Sequence, residues 1–494
     1  MAQFSENLYT ADQSKIIEKR ALCNQSMGSS SLMSLAGQAA FSLLSDTWPN
    51  ATSILVVCGS GNNGGDAWTV ASIAKKAGLD VRLMELARPK STDAKLAAEA
   101  GYAIGLRPIS FKADNLGNPD VIVDGILGIG LKGTPNDDVL ASIRAINDTN
   151  KPVLALDIPS GLNPDTGDVE IDAIRASTTI TFICCNPGLV TGKGPKYTGN
   201  IEFDDLGVGD TVFRGIQPIA KYVSGSNSQL LINGIPAPAH KGEAGRLLII
   251  GGNITMGGSV RLAGEAALRT GAGLVTIGTR QANVASIHAS CPELLAYSVE
   301  EGFNAAGLLN KFSHIVFGPG LGTDAWARWL FDNVIELESP IVIDADGLNL
   351  LAEYPRHNPH WILTPHPGEA ARLLRKTAKE IQRDRLQASF DIQSLYGGIC
   401  ILKGAGTIVR ISGESVFICN TGNSGMATAG TGDILSGVIG SLLAQGLSNE
   451  EAACCGVWLH GTAGDRAAAD GQRGMIARDL LPALRQLVDP SNAS

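Results

Sequence analysis

The sequence lacks the features that mark several common classes of protein. No stretch of about 18 apolar residues is present, which argues against a membrane-spanning helix, and Met1–Lys19 is polar rather than a signal-peptide core. No run of Lys and Arg is longer than two residues, and the formal net charge is −9. We therefore expect a cytoplasmic protein that binds neither a membrane nor nucleic acid, while a local cationic site for a small anion stays open.

Cysteine offers no recognisable metal or disulfide framework. The nine cysteines include the adjacent pairs Cys184–Cys185 and Cys454–Cys455 and no C-x-x-C motif. Adjacent pairs suit neither zinc nor ordinary disulfides, so we expect reduced thiols in the core. His357, His360 and His366 lie among four prolines that break any helix there, so zinc is not expected at the histidines either.

Glycine, by contrast, is plentiful, at 59 of 494 residues. Without a period of three it indicates many tight turns rather than collagen. The hydrophobic share of 44% and the charged share of 18% are those of an ordinary globular protein. At roughly 100–200 residues per domain, the length predicts two or three domains.

Two α/β patterns follow one another along the chain. The first has a helix near Asp12–Gln25, a strand at Ile54–Cys58, a helix at Gly65–Lys76 and a strand at Val81–Met84. Further β-branched runs lie at Val121–Val123, Val153–Leu156 and Thr179–Ile183. This alternation predicts a parallel sheet covered by helices on both faces.

The pattern lapses between Gly207 and Ala239, which predicts a first domain of residues 1–215, a linker of 216–226 and a second domain of 227–494. The second domain is again α/β, with an antiparallel pair of strands after Lys403. Its predicted strands are Leu247–Ile250, Leu274–Ile277, Ile315–Phe317, Ile341–Ile343, Ile362–Thr364, Ile399–Leu402, Ile408–Ile411 and Val416–Ile418. Its predicted helices include Val260–Thr270, Gly432–Leu443 and Glu450–Ala469. We expect two successive three-layer αβα domains.

The first candidate site begins where a buried strand meets a helix. The loop there reads Asn62-Asn63-Gly64-Gly65-Asp66, and its glycines would let backbone N–H groups approach a phosphate at the helix N-terminus. The spacing is not that of G-x-G-x-x-G, so an ordinary dinucleotide-binding turn is only weakly indicated. The alternative is a glycine turn in which Asp66 caps the helix.

Two further strand ends carry candidate residues. Asp124 leads into the loop Gly128-Ile129-Gly130-Leu131-Lys132-Gly133-Thr134, and Asp157 and Ser160 follow another strand. Because ligands bind outside the carboxyl ends of parallel strands, we expect these loops to converge. Asn63, Asp124 and Ser160 then offer oxygen ligands for an alkali or alkaline-earth cation, and the amides and lysine of the glycine loop could hold a diphosphate.

These residues resemble the epimerase half of the NAD(P)H-hydrate repair enzymes, over roughly Leu8–Arg214. The resemblance implies a Rossmann-like fold and places Asn62–Asp66, Gly128–Thr134 and Asp157 at the hydrated dinucleotide. It also implies a potassium ion held by Asn63, Asp124 and Ser160. The nitrogen of the hydrated ring can help to expel the C6 hydroxyl if an acid assists, and we expect Asp157 to transfer that proton.

Two positions depart from the pattern of that family. Ala67 stands where a further glycine is usual, and Asn186, in Cys185-Asn186-Pro187-Gly188, stands where a lysine is common. The first change exchanges glycine for the smallest side chain, so we expect a mild effect. The second removes a positive charge and leaves the role of this position open.

The second candidate site opens a long apolar helix. The segment Asn423–Asp433 is rich in small residues and ends in Gly430-Thr431-Gly432-Asp433, which would present several N–H donors to a transferring phosphoryl group. Asp433 is then placed to accept a proton from a substrate hydroxyl. The alternative is a glycine loop in which Asp433 only complements the helix dipole. The segment Lys403-Gly404-Ala405-Gly406-Thr407, between two strands, could meet nucleotide phosphates.

These motifs resemble the ribokinase-type fold. With Gly318–Gly322, Asp344–Gly347 and the H-P-G-E segment His366–Glu369, they resemble the NAD(P)H-hydrate dehydratases over roughly Asn227–Leu487. The resemblance implies that the hydrated cofactor contacts Gly257, Gly258, Gly322, His366 and Asp433. It implies that the adenine nucleotide contacts Lys403, Gly404, Ala405, Gly406, Thr407 and Gly432. Asp344 and Asp346 could assist with acid–base chemistry or Mg²⁺, or could cap a loop.

The two resemblances together imply a bifunctional repair enzyme for hydrated NADH and NADPH (NADHX and NADPHX). Its second domain would phosphorylate the C6 hydroxyl with Mg²⁺ and then lose phosphate. A fusion in this order resembles bacterial members, which use ADP rather than ATP, and a homo-oligomer is expected. The alternative is a ribokinase-type small-molecule kinase fused to a nucleotide-binding regulatory domain.

Overall fold

The computed structural model describes residues 6–24, 29–130, 133–223, 225–233, 244–301, 305–309, 311–411, 413 and 415–489. The chain divides into two compact units, Met1–Ala220 and Lys221–Ser494. The boundary falls inside the segment 216–226 that the sequence marks as a linker. In the described part of the chain, every helix is too short or too polar to cross a bilayer.

The first unit is built on a parallel sheet. Its strands are β1 (Asn7–Leu8), β2 (Ser53–Cys58), β3 (Asp80–Glu85), β4 (Ile109–Ser110), β5 (Val121–Gly125), β6 (Val153–Leu156), β7 (Thr178–Phe182) and β8 (Asn200–Asp204). Its helices are α1 (Ala11–Asn24), α2 (Ser29–Thr47), α3 (Asn62–Lys76), α4 (Thr92–Ala103), α5 (Asp137–Asp148) and α6 (Gly194–Tyr197). Seven strands pair in the order β4-β3-β2-β5-β6-β7-β8, every pair parallel.

Helices cover both faces of this sheet because successive side chains of a strand point to opposite sides. Val56 and Cys58 of β2 lie in one core with α1, α2 and α3. Leu55 and Val57 lie in a second core with Ile143 of α5. The parallel sheet and its two covered faces, expected from the sequence, are therefore confirmed.

The second unit is built on a larger sheet, in which parallel and antiparallel strand pairs are mixed. Its strands are β9 (Ala220–Tyr222), β10 (Arg246–Ile250), β11 (Leu274–Thr279), β12 (Leu295–Ser298), β13 (His314–Phe317), β14 (Ile341–Ile343), β15 (Trp361–Leu363), β16 (Ile399–Leu402), β17 (Thr407–Arg410) and β18 (Val416–Cys419). They follow the order β9-β18-β17-β16-β15-β14-β13-β10-β11-β12. β17 is antiparallel to both of its neighbours, which confirms the predicted antiparallel pair, and the other pairs are parallel.

The helices of the second unit lie on both faces of its sheet. They are α7 (Gly225–Asn233), α8 (Gly257–Arg269), α9 (Gln281–Ser290), α10 (Ala305–Leu309), α11 (Ala325–Val334), α12 (Asp346–Glu353), α13 (Pro367–Leu374), α14 (Ala378–Arg383), α15 (Arg385–Tyr396), α16 (Thr431–Ala444), α17 (Asn449–Ala467) and α18 (Leu480–Leu487). Val316 packs with α8, α16 and α17, whereas Phe317 meets Phe331 of α11, with ring centroids 6.3 Å apart. α8 and α16 touch closely, since a Cβ on Gly437 would lie 2.0 Å from the Ala263 carbonyl oxygen.

Two helices begin earlier than predicted, within glycine-containing segments. Asn62–Asp66 forms the beginning of α3, three residues earlier than predicted, and Gly257–Gly258 begins α8. In the first unit α2, α4, α5 and α6 are not predicted from the sequence, and in the second unit only α8, α16 and α17 are. Glycine usually weakens a helix, and at α3 the close packing of neighbouring backbone overrides that tendency.

Candidate active sites

The start of α3 lies against the ends of two strands. A Cβ on Gly64 would lie 2.1 Å from the carbonyl oxygen of Gly59, and a Cβ on Gly59 would lie 1.9 Å from that of Ile126. Only glycine permits this approach, which brings the β2 and β5 loops together beneath the helix. The helix begins at the N-cap Gly61, so Asp66 lies beyond its first turn and is not its cap.

Ala67, where the family usually has glycine, packs against this junction. It is fully buried, and a Cβ on Gly125 would lie 2.3 Å from the Ala67 Cβ. A glycine on the facing strand therefore makes room for the alanine methyl group. The mild effect expected for this substitution agrees with the packing.

Asp157 occupies a strained turn after β6. Its φ is 65°, in the left-handed region, and its own N–H donates to the Ile180 carbonyl at 2.7 Å. One carboxylate oxygen, Oδ2, accepts from the Ile129 N–H at 3.3 Å. Burial raises the Asp157 pKa to about 6, and the Ile129 hydrogen bond opposes that rise. A carboxyl group with such a pKa can give or take a proton near neutral pH.

Asn63, Asp124 and Ser160 come together as the sequence predicts. Ser160 Oγ donates to Asp124 Oδ1 at 2.7 Å, and its N–H donates to Asp124 Oδ2 at 2.8 Å. Asn63 Nδ2 donates to the Leu127 carbonyl at 2.9 Å. Asn63 Oδ1 is buried and has no hydrogen-bond partner in the described part of the chain. Ser160 Oγ lies 3.2 Å from the same Leu127 carbonyl, so the orphaned Asn63 oxygen is in the neighbourhood of the Asp124–Ser160 pair, and such a set of oxygens suits a bound cation.

A cavity of about 740 Å³ opens above these strand ends. The predicted residues Asn62, Asn63, Asp66, Gly128, Ile129, Gly130 and Asp157 line it. Gly133 and Thr134 are exposed and do not line it, and Leu131 and Lys132 lie outside the described residues. The cavity lining also includes Lys15, Glu18, Leu22, Leu32, Met33, Lys90, Asp93 and Asp138, which the sequence analysis missed.

Carboxyl groups in this cavity influence one another. Burial raises the Glu18 pKa to about 8, and the neighbouring Asp157 charge adds to the rise. Burial also raises the Asp66 pKa well above its ordinary range, with further contributions from Asp157, Glu18 and Asp93. Asp66 therefore belongs to the cavity.

Asn186 makes hydrogen bonds to the N-terminal part of the unit. Its Nδ2 donates to the Tyr9 carbonyl at 2.7 Å and to Ser14 Oγ at 3.0 Å. The side chain is almost fully buried, at 1% exposure, and does not line the cavity. Asn186 thus holds the start of α1 in place. A lysine at this position would need different contacts to do the same.

In the second unit, Asp433 lies in the first turn of α16, as predicted. The N-cap Gly430 has φ 91°, a conformation that favours glycine. Burial and, to a smaller extent, the Asp344 charge raise the Asp433 pKa to about 6, although the Ser259 hydrogen bond and the Lys403 charge oppose the rise. A base with this pKa is ionised at neutral pH.

Lys403 points at the same helix terminus. Its Nζ lies 2.8 Å from Asp344 Oδ1 and 3.8 Å from Glu369 Oε2. The other oxygen of Asp344 accepts from Ser436 Oγ at 2.5 Å. A Cβ on Gly432 would lie 3.2 Å from Lys403 Nζ. The lysine is thus a cation beside the amides of the α16 N-terminus, and Asp344 is its ion-pair partner rather than a loop cap.

The Gly318–Gly322 and H-P-G-E segments flank this cluster. The Gly322 N–H donates to Asp346 Oδ2 at 2.8 Å. His366 caps α13, its Nδ1 accepting from the N–H groups of Gly368 (2.9 Å) and Glu369 (3.2 Å). Burial and the Lys403 charge lower the His366 pKa, so the ring is neutral and its Nε2 carries the proton.

Two buried side chains hold the predicted nucleotide segments, and neither was predicted. The Arg385 guanidinium donates to the carbonyl groups of Leu402 (2.9 Å) and Lys403 (3.3 Å). His460 Nε2 lies 2.8 Å from the Thr431 carbonyl, and burial lowers its pKa to about 4, so Nε2 donates from a neutral ring. Arg385 precedes Leu402 by 17 residues and His460 follows Thr431 by 29, so neither belongs to the motif that it supports.

Family models match both units. Residues 247–486 match the model described as NAD(P)H-hydrate dehydratase, and residues 29–188 match that described as YjeF-related protein N-terminus.

Curated relatives match nearly the whole chain. A bifunctional NAD(P)H-hydrate repair enzyme of Coxiella burnetii is 44% identical over 98% of this chain and 99% of its own. The Escherichia coli enzyme of that description is 42% identical, covering 93% and 89%. One from Leishmania braziliensis is 35% identical, covering 96% and 92%. The two-unit arrangement is therefore shared by bacterial and protozoan relatives.

Solved structures match the second unit. A ribokinase-like superfamily protein from Enterococcus faecalis superposes with a TM-score of 0.51 and 30% identity, over 55% of this chain and 95% of its own. A Streptococcus mutans protein has a TM-score of 0.50 and 27% identity, over 54% and 100%. The ribokinase-like fold expected for the second unit is confirmed.

Proposed function

This chain belongs to the bifunctional NAD(P)H-hydrate repair enzymes. From that membership we propose which of the two reactions, epimerisation and dehydration, each site carries out. The first unit interconverts the R and S hydrates of NADH and NADPH at C6. The second unit dehydrates the S form to NAD(P)H with a nucleotide as phosphoryl donor. The observation that carries the proposal is a carboxyl group placed in each site: Asp157 lines the cavity beside the Ile129 N–H, and Asp433 lies in the first turn of α16 near Lys403.

Epimerisation needs a cavity that admits the hydrated ring and handles its protons. The glycine amides at Gly128–Gly130 and the start of α3 suit the phosphates, and Phe182, Ile183 and Leu206 give the cavity an apolar wall for the ring. As the ring nitrogen expels the protonated C6 hydroxyl as water, a second water adds to the other face. Asp157 takes part in these proton transfers.

Asn63, Asp124 and Ser160 fit a potassium ion. Potassium takes oxygen ligands, and the buried Asn63 Oδ1 lacks another partner in the described part of the unit. The carboxylate of Asp124 and the Ser160 hydroxyl, 2.7 Å apart, supply further oxygens. An ion held there would bring positive charge close to the glycine loop that faces the substrate phosphates.

Dehydration needs a better leaving group than hydroxide, because water has a pKa of about 15.7 whereas the second pKa of phosphate is about 6. Asp433 accepts the proton of the C6 hydroxyl while the oxygen of that hydroxyl attacks the terminal phosphorus of the nucleotide. The amides at Gly430–Gly432 and the ammonium of Lys403 stabilise the transferring group. The C6–O bond then breaks with loss of a C5 proton, which restores the dihydronicotinamide and releases phosphate.

The remaining assigned residues bind around this reaction. We assign Gly257, Gly258, Gly322 and His366 to the hydrated cofactor, and Lys403–Thr407 and Gly432 to the adenine nucleotide. Within the described residues, no three His, Cys, Asp or Glu side chains are arranged to hold a metal. Mg²⁺ needs only one or two carboxylates when nucleotide phosphates complete its ligands, and of the two candidates from the sequence Asp346 would serve, because Asp344 is paired with Lys403. It would neutralise part of the phosphate charge.

We propose ADP as the donor, with AMP and phosphate as products. The order of the domains does not support this choice, because the Leishmania braziliensis relative shares it. Support comes from the higher identity to the two bacterial relatives, 44% and 42%. The alternative of a small-molecule kinase with a regulatory domain is disfavoured, since the dehydratase model matches the second unit.

A cytoplasmic location accords with nine free cysteines, six of them buried, which suit a reducing compartment. The homo-oligomer expected from the family resemblance stays a prediction.

The proposal is tested by the return of dihydronicotinamide absorbance from a mixture of R and S NADH hydrates with Mg²⁺ and K⁺. We expect full recovery with ADP, a slower reaction with ATP and none without nucleotide. Replacing K⁺ by tetramethylammonium should slow the recovery of the R fraction. Recovery that stops at the S fraction would contradict the epimerase assignment, and no recovery with either nucleotide would contradict the dehydratase assignment.

A further inference from the structure

The N-terminal helix α1 presents two different faces to the first unit. Ser14, Ile17 and Ala21 are buried in the core. Lys15, Glu18 and Leu22, spaced three and four residues apart, line the cavity that holds Asp157. This spacing places the three side chains on one helical face, so α1 is a wall of the cavity.

Both ends of α1 are fixed by hydrogen bonds. Before the helix, the Tyr9 N–H donates to the Cys185 carbonyl at 2.8 Å, and Asn186 Nδ2 donates to the Tyr9 carbonyl and to Ser14 Oγ. Towards the other end, Arg20 donates to the carbonyl groups of Val212 (3.0 Å) and Arg214 (2.8 Å). A helix held at both ends keeps the Glu18 carboxyl at a defined place in the cavity.

Burial of Glu18 favours its neutral form, and the charges around it act in both directions. Burial raises its pKa to about 8, the Asp157 charge adds to this, and Lys15 on the same helix lowers it. Asp66 of α3 and the thiol of Cys184 also feel the Glu18 charge. The other charged side chains that line the cavity are Lys90, Asp93 and Asp138.

We propose that Glu18 is the second acid–base residue of the epimerase, acting with Asp157 on the same substrate carbon. The inference rests on the epimerase function proposed for this unit. One carboxyl group gives its proton to the departing C6 hydroxyl, the C6–O bond breaks, and water leaves as the ring nitrogen shares its electron pair. A new water adds to the opposite face, and the other carboxylate takes its proton. Exchange with solvent then removes the proton from the second carboxyl group and restores one to the first, so the reaction cycle is balanced.

Such a pair is active with one shared proton, so the rate should be bell-shaped in pH. The limbs follow the Asp157 pKa of about 6 and the Glu18 pKa of about 8. In one direction of the interconversion the proton starts on Glu18, and in the other it starts on Asp157. Both directions should therefore have the same pH–rate profile.

The test is Glu18→Gln in the full chain, with epimerisation followed by resolving the R and S hydrates of NADH. We expect kcat to fall roughly 100-fold or more, the alkaline limb to disappear and KM to change less. Glu18→Asp should restore part of kcat. Lys19→Gln, on the exposed side of α1, is the matched control and should keep the wild-type rate.

Dehydration of pure S hydrate by the second unit should not change, and the midpoint of chemical denaturation reports whether the first unit of each variant is folded. If Glu18→Gln keeps more than half of the wild-type kcat, or retains the alkaline limb, the inference is wrong. It is also wrong if Asp66→Asn removes that limb while Glu18→Gln does not. If the wild-type chain itself does not interconvert the hydrates, the proposed epimerase function fails, which is a separate outcome.

Discussion

The ionisation of Asp433 should control dehydration on the acid side of neutrality. Its pKa is raised to about 6, first by burial and then by the Asp344 charge. A base must be ionised to accept the C6 hydroxyl proton, so activity is present above pH 6 and lost as the pH falls through it. About half of Asp433 is ionised at pH 6 and about a tenth at pH 5, whereas an ordinary aspartate would remain about nine-tenths ionised at pH 5.

The rate at pH 5 should therefore be about a tenth of the rate at pH 8. We would measure kcat for pure S hydrate with saturating ADP and Mg²⁺, because saturation removes the titration of the free nucleotide phosphates. Asp433→Asn should lower kcat by roughly 10²–10⁴-fold at every pH and leave epimerisation unchanged. Intrinsic tryptophan fluorescence across the range would show that the protein remains folded.

Two results would refute this reasoning. A rate that stays level down to pH 5 would show that Asp433 is not titrating near 6 or is not the base. An Asp433→Asn variant that keeps more than a tenth of the wild-type kcat would show that another group accepts the proton.

Two further predictions concern the first unit. Asp157→Ala should abolish interconversion of the R and S hydrates while leaving dehydration of the S form intact; loss of both activities in a folded variant would contradict the assignment of one reaction to each unit. Gly64→Ala should lower the free energy of unfolding of the first unit by roughly 1–3 kcal/mol, because its Cβ would lie 2.1 Å from the Gly59 carbonyl oxygen, although helix propensity alone predicts a gain of about 1 kcal/mol. Gly209→Ala, with no atom within 4 Å of its Cβ, is the control, and equal midpoints of chemical denaturation for the two variants would contradict the packing argument.

The sequence by itself was sufficient for the layered α/β architecture. The sequence predicts apolar strands such as Val153–Leu156 to the residue, and it predicts the start of the helix that carries Asp433 to within one residue. These features are local: a strand buried on both faces appears in the sequence as a continuous apolar run, and the start of this helix appears as a cluster of glycines. The convergence of Asn63, Asp124 and Ser160 also followed, since parallel strands end at one edge.

Only the tertiary structure decided which other side chains reach these sites. Glu18 lies about 140 positions before Asp157 in the sequence, and nothing in a polar helix indicates which of its charged residues faces a cavity. Lys403 could be predicted as a phosphate ligand, but its pairing with Asp344 depends on β14 and β16 flanking β15 in the sheet. From the sequence, Asn62–Gly64 is predicted as a loop before the helix, because glycine disfavours helix in isolation. Contact with Gly59 and the neighbouring strand end makes it a helix, and such contacts between distant segments leave no periodic signal in the sequence.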